Sequence, residues 1–538
     1  MAFNLLSLPT ELLVRIISLS TPTDTFIWQL TARHFRNLVK DSSELQYRIA
    51  AYAAGVIDNP RSRLSHAERL ERLKARETAW STLNVRSQTA IAVDYTPAGL
   101  YDFTRGVYFQ AEEGLLGTDD KPLVTDLNYV VLPHSPSAEG QPLSWSKIHS
   151  DHHIIDFGPC LQEHGLVALV VVRPGTNPGT STVEVSLLDF ATSRPHPAAV
   201  QPTLHVCTVP KVSVVSCSTS IGIVGHYLAL LVTFSPQMAM CALYLYQWKT
   251  GELIRSYPLS PGSYNSLAFL ADDLILLTNM AENRLEIFRI HEHPWDIAPI
   301  LLLELPPVRD RNNVAIYRLT CQAEPNPIGR MSSPTSVNHA DDERPFFNAP
   351  EDAIFLFSML LISHDHAVVD KCSFVVHRRA LLALVPVPVD PLVPTLEEMP
   401  WVTWGPDITR WFDIDDTPPR WITVPAGQRY ALIASTASAS PEPIRVLDFN
   451  PYSCWKQKQA EEAGTEDDGT RLCDETSTIM QDLHGFAEPV NSRLPYVETL
   501  TRELYRYDAV LMDEVRILGL TLGGENSDIT NIDVLLMG

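Results

Sequence analysis

The chain has no apolar run long enough to cross a bilayer. The longest, residues 353–362, includes Ser358 and stops after ten positions, whereas a spanning helix needs about 20. Met1, Ala2, Phe3 and Asn4 carry no basic charge and open no long apolar stretch, so no secretory leader is expected. None of the eight cysteines forms a C-x-x-C pair, and no asparagine starts an N-x-S/T sequon. A disulfide framework and a zinc module are therefore disfavoured, and reduced thiols in the cytoplasm or nucleus are the expectation. Nucleophile elbows, phosphate loops, G-x-G-x-x-G turns, H-E-x-x-H helices and EF-hand loops are missing too. Positive charge is scarce: 41 Lys+Arg stand against 64 Asp+Glu, a formal charge of −23 over 538 residues. That balance argues against coating nucleic acid or an anionic membrane.

What is present is an ordinary globular composition, 45% hydrophobic and 20% charged, long enough for several domains or one small module plus a repeat-built body. Charge divides the chain near residue 86. Residues 1–86 hold 12 Lys+Arg and 8 Asp+Glu, a net of +4, which leaves −27 for the remainder. Texture changes at the same point, from helical spacing to short β-branched and aromatic runs cut by Pro, Gly, Ser and Asn, as in an all-β body. Residues 324–350, 386–419 and 460–478 read as long surface insertions, the last too polar to bury.

The opening segment is the most informative. Pro9 suits the first turn of a helix, where its missing N–H costs nothing, and Glu11 complements the positive end of the dipole. At 100° per residue Glu11, Arg15 and Ser18 form one narrow polar stripe. Leu12, Leu13, Val14, Ile16, Ile17 and Leu19 fill most of the remaining circumference. A second helix begins at Thr21-Pro22-Thr23-Asp24, and Phe35, Leu38 and Val39 mark a third. From Leu5 to Ile49, 19 of 45 positions are large and apolar. So short a domain cannot bury that much, so another surface is expected to complete it.

These residues resemble an F-box: Leu6, Leu8-Pro9, Glu11-Leu12-Leu13 and Ile16, then Thr23-Asp24, Arg33, Phe35 and Leu38, Asp41-Ser42, and Leu45-Gln46-Tyr47. Two positions depart from the family pattern. Gln46 stands where a Trp is usual, and Thr25 where a Leu is usual. The resemblance implies docking on the Skp-type linker subunit of a cullin–RING ubiquitin ligase, with the rest of the chain selecting a client protein. Leu6, Leu8, Pro9, Leu12, Leu13, Ile16, Ile17, Leu30, Phe35 and Leu38 are the implied partner-binding residues. A three-helix cap packed on the β body is the plainer reading of the same residues.

Ser65 and Glu68 form a capping box, and Leu70, Leu73, Trp80 and Leu83 continue at helical spacing through a basic stretch. A connecting helix over 51–86 with a solvated basic face is expected; without interleaved aromatics, nucleic-acid binding is not. Beyond residue 87, paired apolar strands recur at 165–173 with 183–190, 225–232 with 243–251, 267–278 with 284–289, 354–363 with 373–377, and 430–435 with 444–449. That spacing suits a degenerate β-propeller of four-stranded blades, with two packed β-sandwiches as the alternative. Residues 100–108 and 512–520 give the layout the look of fungal F-box proteins.

Possible chemistry is thin. His149, Asp151, His152 and His153 could ligate a metal only if they converged, and adjacent strand residues point apart. His364 and His366 lack a visible third ligand, and Asp413–Asp416 and residues 461–468 read as solubilising charge. The expectation is therefore a small all-α F-box module (1–50), a connecting helix (51–86) and an all-β client-binding body (87–538). It carries no catalytic, metal or cofactor site. A non-ligase scaffold and a propeller-based hydrolase are the alternatives. Buried carboxylates converging on a central channel would mark the last of these.

Overall fold

The computed structural model describes all residues except 1–4, 6–7, 117–121, 133–142, 211–216, 235–239, 293–294, 310–312, 325–343, 364–366, 388–395, 414–424, 434–439, 466–468, 480–484, 524–527 and 538. Four short helices open the chain: α1 (Thr10–Ser18), α2 (Pro22–Thr31), α3 (Arg33–Asp41) and α4 (Ser43–Ala53). The expected capping box is present at α2, where Asp24 N donates to Thr21 Oγ1 at 3.0 Å. Leu13, Ile17, Phe35, Leu38, Val39 and Leu45 form the core of this module. Ser18, expected on the polar stripe of α1, is buried, because the Arg48 guanidinium from α4 donates to the carbonyls of Ser18 and Ser20 and satisfies the end of α1. The two departures from the family pattern both have local partners. Gln46 Nε2 donates to Val39 O at 3.0 Å, and the buried Thr25 hydroxyl donates to Thr21 O at 3.0 Å.

The connecting segment is more than one helix. α4 runs past residue 50 to Ala53, β1 (Val56–Asp58) pairs antiparallel with Phe346–Asn348, and only then does α5 (His66–Thr82) begin. The solvated basic face expected on α5 is present in part: Arg72 and Lys74 are exposed, but two of its arginines are not. Arg69 and Arg76 are buried, Arg69 paired with Asp58 and Arg76 with Glu77 while lying 4.8 Å from the Phe346 ring. A guanidinium is more weakly hydrated than an ammonium, and its carboxylate and ring partners offset the water it loses here, so a basic residue can serve as core.

Among the described residues from 87 onward the chain forms seven sheets of four or five strands in sequence order, antiparallel except that Glu397–Met399 adds parallel to the fourth, and a separate two-stranded pair, Ser477–Ile479 with Val490–Ser492. Each sheet buries one face against the sheet before it and the other against the sheet after it. Phe109 and Phe157 join the first and second sheets, Val170 and Leu230 the second and third, and Leu243 and Ile275 the third and fourth. Leu276 and Phe357 join the fourth and fifth, Leu356 and Leu432 the fifth and sixth, and Val446 and Val510 the sixth and seventh. Phe103 and Tyr108 of the first sheet then pack against Leu511 and Leu518 of the seventh, so the series closes into a ring. The seventh sheet takes its outer strand from the other end of the body: β2 (Ser87–Ala92) pairs with Asp528–Leu536. The paired runs read from the sequence are mostly second and third strands of the second to sixth sheets, buried on both faces and hence almost continuously apolar.

Two of the three expected insertions are structured where described, and part of the third is. Residues 386–419 include the strand Glu397–Met399, a helix at Trp401–Ile408 and the strand Thr409–Asp413; Trp401, Trp404 and Trp411 are buried in the core between the fourth and fifth sheets. Residues 460–478 contain the end of the helix Pro451–Ala463 and the strand Thr470–Cys473, which pairs with Tyr496–Tyr505. Most of 324–350 lies outside the described residues, but Phe346–Asn348 holds β1.

The helical module is fixed to one side of the ring. Trp80 Nε1 donates to Glu514 O at 3.0 Å, and Glu77 bridges Arg76 at 2.6 Å and Arg429 at 2.5 Å. Burial alone would raise the Glu77 carboxyl, but the Arg429 and Arg76 guanidinia outweigh it and hold the group at about 2. Beneath them Arg105 pairs with Glu514 at 3.3 Å and Glu324 at 3.8 Å, tying the first, fifth and seventh sheets together.

Because β2 is the fourth strand of the last sheet, its loss should open the ring. A chain starting at residue 84 should melt cooperatively. One starting at residue 93 should lose on the order of 3–5 kcal/mol, the scale of removing a buried apolar side chain such as Ile91 together with its strand pairing. Denaturant unfolding of the two chains checks this.

Candidate functional site: exposed apolar residues on the first two helices

α1 has two apolar sides. Leu13 and Ile17, four residues apart, point inward and are 1% exposed, whereas Leu12, Ile16 and Leu19, at spacings of four and three, are 51%, 38% and 74% exposed. α2 leaves Phe26, Ile27 and Leu30 open as well. Six large apolar side chains on two consecutive short helices therefore face solvent. Such clustering marks contact surfaces more than single exposed residues do. Each of them would contribute about 1.5–3 kcal/mol if fully covered.

The ten residues implied by the family resemblance divide into separate groups. Leu12, Ile16 and Leu30 are exposed, Pro9 is exposed at the N-cap of α1, and Leu8 is half-buried against the module core. Leu13, Ile17, Phe35 and Leu38 are corrected to core residues: they meet one another and Val39, so they shape the surface from beneath. Leu6 lies outside the described residues. Leu19, Phe26 and Ile27 belong to the exposed group but were not among the ten. Their signal was available in the i, i+4, i+7 spacing of Leu12, Ile16 and Leu19.

Elsewhere the histidine cluster separates. His149 ends the outer strand of the first sheet, with Nδ1 2.8 Å from Asp126, whereas His153 starts the inner strand of the second sheet and accepts from Val124 N at 3.0 Å. His364 and His366, and the acidic residues Asp415, Asp416 and 466–468, lie outside the described residues. One group among the described residues has three potential metal-ligand atoms within 4.8 Å of one another, at Cys160, Glu163 and His164. Its polar atoms are engaged by one backbone: Gly225 N donates to both Glu163 oxygens at 3.0 and 3.2 Å, and His164 Nε2 lies 2.7 Å from Gly225 O. Burial lowers the His164 imidazole to about 4 and keeps it neutral, its ring tilted against Trp248 with centroids 4.9 Å apart. This arrangement locks the second sheet to the third.

Two carboxyls on inner strands are also perturbed. Burial pushes Asp102, on the first sheet, up to about 7, with the charge of Asp156 adding to the rise. Burial likewise raises Asp156, on the second sheet, to about 7, against hydrogen bonds from Phe157 N at 2.8 Å and the Thr219 hydroxyl at 3.0 Å. Asp102 lies on the face of its strand that meets the second sheet, while Asp156 turns to Thr219 of the third. The charge of Asp156 reaches Asp102, whose Oδ1 is buried without a hydrogen-bond partner among the described residues.

No family model matches the chain, and no curated protein matches it. Among solved structures, a luciferin-regenerating enzyme is 8% identical over 79% of this chain and all of its own, with a TM-score of 0.28. The C-terminal WD40 domain of Sif2 is 8% identical, covering 85% of this chain and 96% of its own, at TM-score 0.30. Sqt1 from Chaetomium thermophilum, solved bound to the N-terminus of the ribosomal protein L10, is 11% identical over 80% of each chain at 0.31. At such TM-scores these likenesses carry no weight for the activity of this chain.

A carboxyl with a raised folded pKa makes stability fall as pH climbs, because the unfolded chain releases its proton first. The cost of Asp102 should therefore grow from about pH 4 to about pH 7 and then level off. Asp102→Asn should raise Tm by ~2–4 °C at pH 8, with the gain shrinking toward pH 4; thermal melts across that range check it.

Proposed function

We propose that the chain is an F-box substrate receptor of a cullin–RING ubiquitin ligase, with the seven-sheet ring as a β-propeller that recruits the client. The observation that carries this reading is the exposure of Leu12, Ile16, Leu19, Phe26, Ile27 and Leu30 on a helical module whose own core is already complete. A cap that served only to cover the β body would turn its apolar surplus toward that body. Here the contacts with the rest of the chain are made by α4, α5 and the segment after β1, through Tyr47, Asn59, Glu77 and Trp80, while α1 and α2 keep their outer residues free. A Skp-type linker offers a helical surface to cover them.

The contribution of such a receptor is proximity: it holds a client near the ubiquitin-loaded enzyme and raises its effective concentration there. That task requires a stiff link between the two binding surfaces, and the Glu77–Arg429 pair and the Trp80–Glu514 hydrogen bond supply it. An acidic body favours basic clients in encounter rate more than in final affinity.

Leu12→Asp with Ile16→Asp should weaken linker binding by at least ~100-fold while leaving the melting curve of the chain unchanged, because both side chains are exposed. Leu13→Ala, 1% exposed, should instead cost ~2–4 kcal/mol of module stability. Calorimetric titration with the Skp-type linker reads the first effect and hydrogen exchange of α1 the second. Failure of the unmodified chain to bind the linker, or full binding by the double variant, overturns the proposal. Co-purification of a cullin separates a ligase receptor from a scaffold.

A further inference from the structure

α5 presents Lys74, Thr78 and Thr82 along one side at successive spacings of four. Leu83, in the left-handed region at φ 44°, ends the helix, and Asn84 N donates back to Ala79 O at 3.1 Å, which brings Asn84 and Arg86 alongside the last turns. Lys74, Thr78, Thr82, Asn84 and Arg86, with two alanines of α5, line a groove of about 380 Å3. No carboxylate lines it, and among the described residues neither Lys74 nor Arg86 makes an ion pair. Residues 61–86 hold seven Lys+Arg and three Asp+Glu, so the whole +4 of the first 86 residues sits here, on a chain that is otherwise strongly acidic.

The groove leads directly into β2. That strand is the outer edge of the seventh sheet; among the described residues it pairs as a strand only with Asp528–Leu536, and Trp145 Nε1 donates at 3.0 Å to the Ala92 carbonyl at its end, so the edge on offer is residues 87–91. Its sequence, Ser-Gln-Thr-Ala-Ile-Ala, has neither charge nor proline, the usual devices that keep an edge from pairing. Outer strands of other sheets carry them: Lys147 in the first, Arg194 and Pro195 in the second, Arg255 and Pro258 in the third, and Arg471 in the sixth.

We propose that an extended anionic peptide segment adds to the free edge of β2 and seats a carboxylate or phosphate between Lys74 and Arg86. Main-chain pairing along the edge supplies affinity, and the two cations select the charge. This surface shares no residue with the exposed side of α1 and α2, so its outcome is independent of linker binding.

The test is fluorescence anisotropy on the full chain with three labelled octapeptides: alternating valine and glutamate, the same with phosphoserine for glutamate, and a valine–lysine control. At least one anionic peptide should bind, weaken as salt rises, and lose roughly tenfold in affinity with Lys74→Gln plus Arg86→Gln. The better of the two anionic peptides tells carboxylate from phosphate. The valine–lysine control should be indifferent to the double variant, and circular dichroism should show that variant folded. Hydrogen exchange in the complex should protect amides within residues 87–91. No binding of either anionic peptide, binding unchanged in the double variant, or unprotected β2 amides in the complex each overturns the proposal.

Discussion

The architecture depends on the pairing of β2 with Asp528–Leu536, which joins the start of the β body to its end. None of the seven sheets can bury both faces alone, so each relies on two neighbours, and only a closed series gives every sheet two. Six of the seven inter-sheet cores form between sheets that follow one another in the chain; the seventh, with Phe103, Tyr108, Leu511 and Leu518, exists only because the ends meet. Closure also fixes where the helices lie. α5 ends five residues before β2 begins, so its last turn is held against the Glu514 turn of the seventh sheet.

The junction between module and ring is built from buried charge rather than from apolar surface alone. Arg105, Glu324, Glu514 and Arg344 lie under the helices, with Glu77, Arg429 and Asp448 beside them. Two carboxylates share Arg105, and they respond oppositely: burial dominates at Glu324 and raises it, while three guanidinia around Glu514 outweigh burial and lower it. Such groups add little net stability compared with an apolar contact of the same size, but leaving any one unpaired is costly, so they fix a single orientation.

Much of the fold was legible from the amino acids, for identifiable reasons. Strands such as Leu166–Pro174 and Tyr227–Thr233 are covered on both faces and read as unbroken apolar runs. Inner strands such as Ser218–Val224 and outer ones such as Glu252–Leu259 carry mixed polarity and gave no such signal. The tryptophans at 401, 404 and 411 looked like part of an insertion because prolines frame them, yet each fills a core or caps a strand. On α1 the total apolar surplus was evident, but which half turned inward was not. That choice is made by Phe35, Leu38 and Leu45 from later helices, and by Arg48 reaching back to the end of α1.

Closure by β2 has a consequence during synthesis. β2 leaves the ribosome more than 400 residues ahead of its partner, Asp528–Leu536. At about 5–20 residues per second the strand waits roughly 20–90 s for its mate. Six sheets can assemble in turn behind it as the nascent chain lengthens. The seventh is completed only once Asp528–Leu536 has emerged, so termination anywhere upstream of it leaves an open arc with two bare apolar flanks, a species that quality-control chaperones would recognise at once.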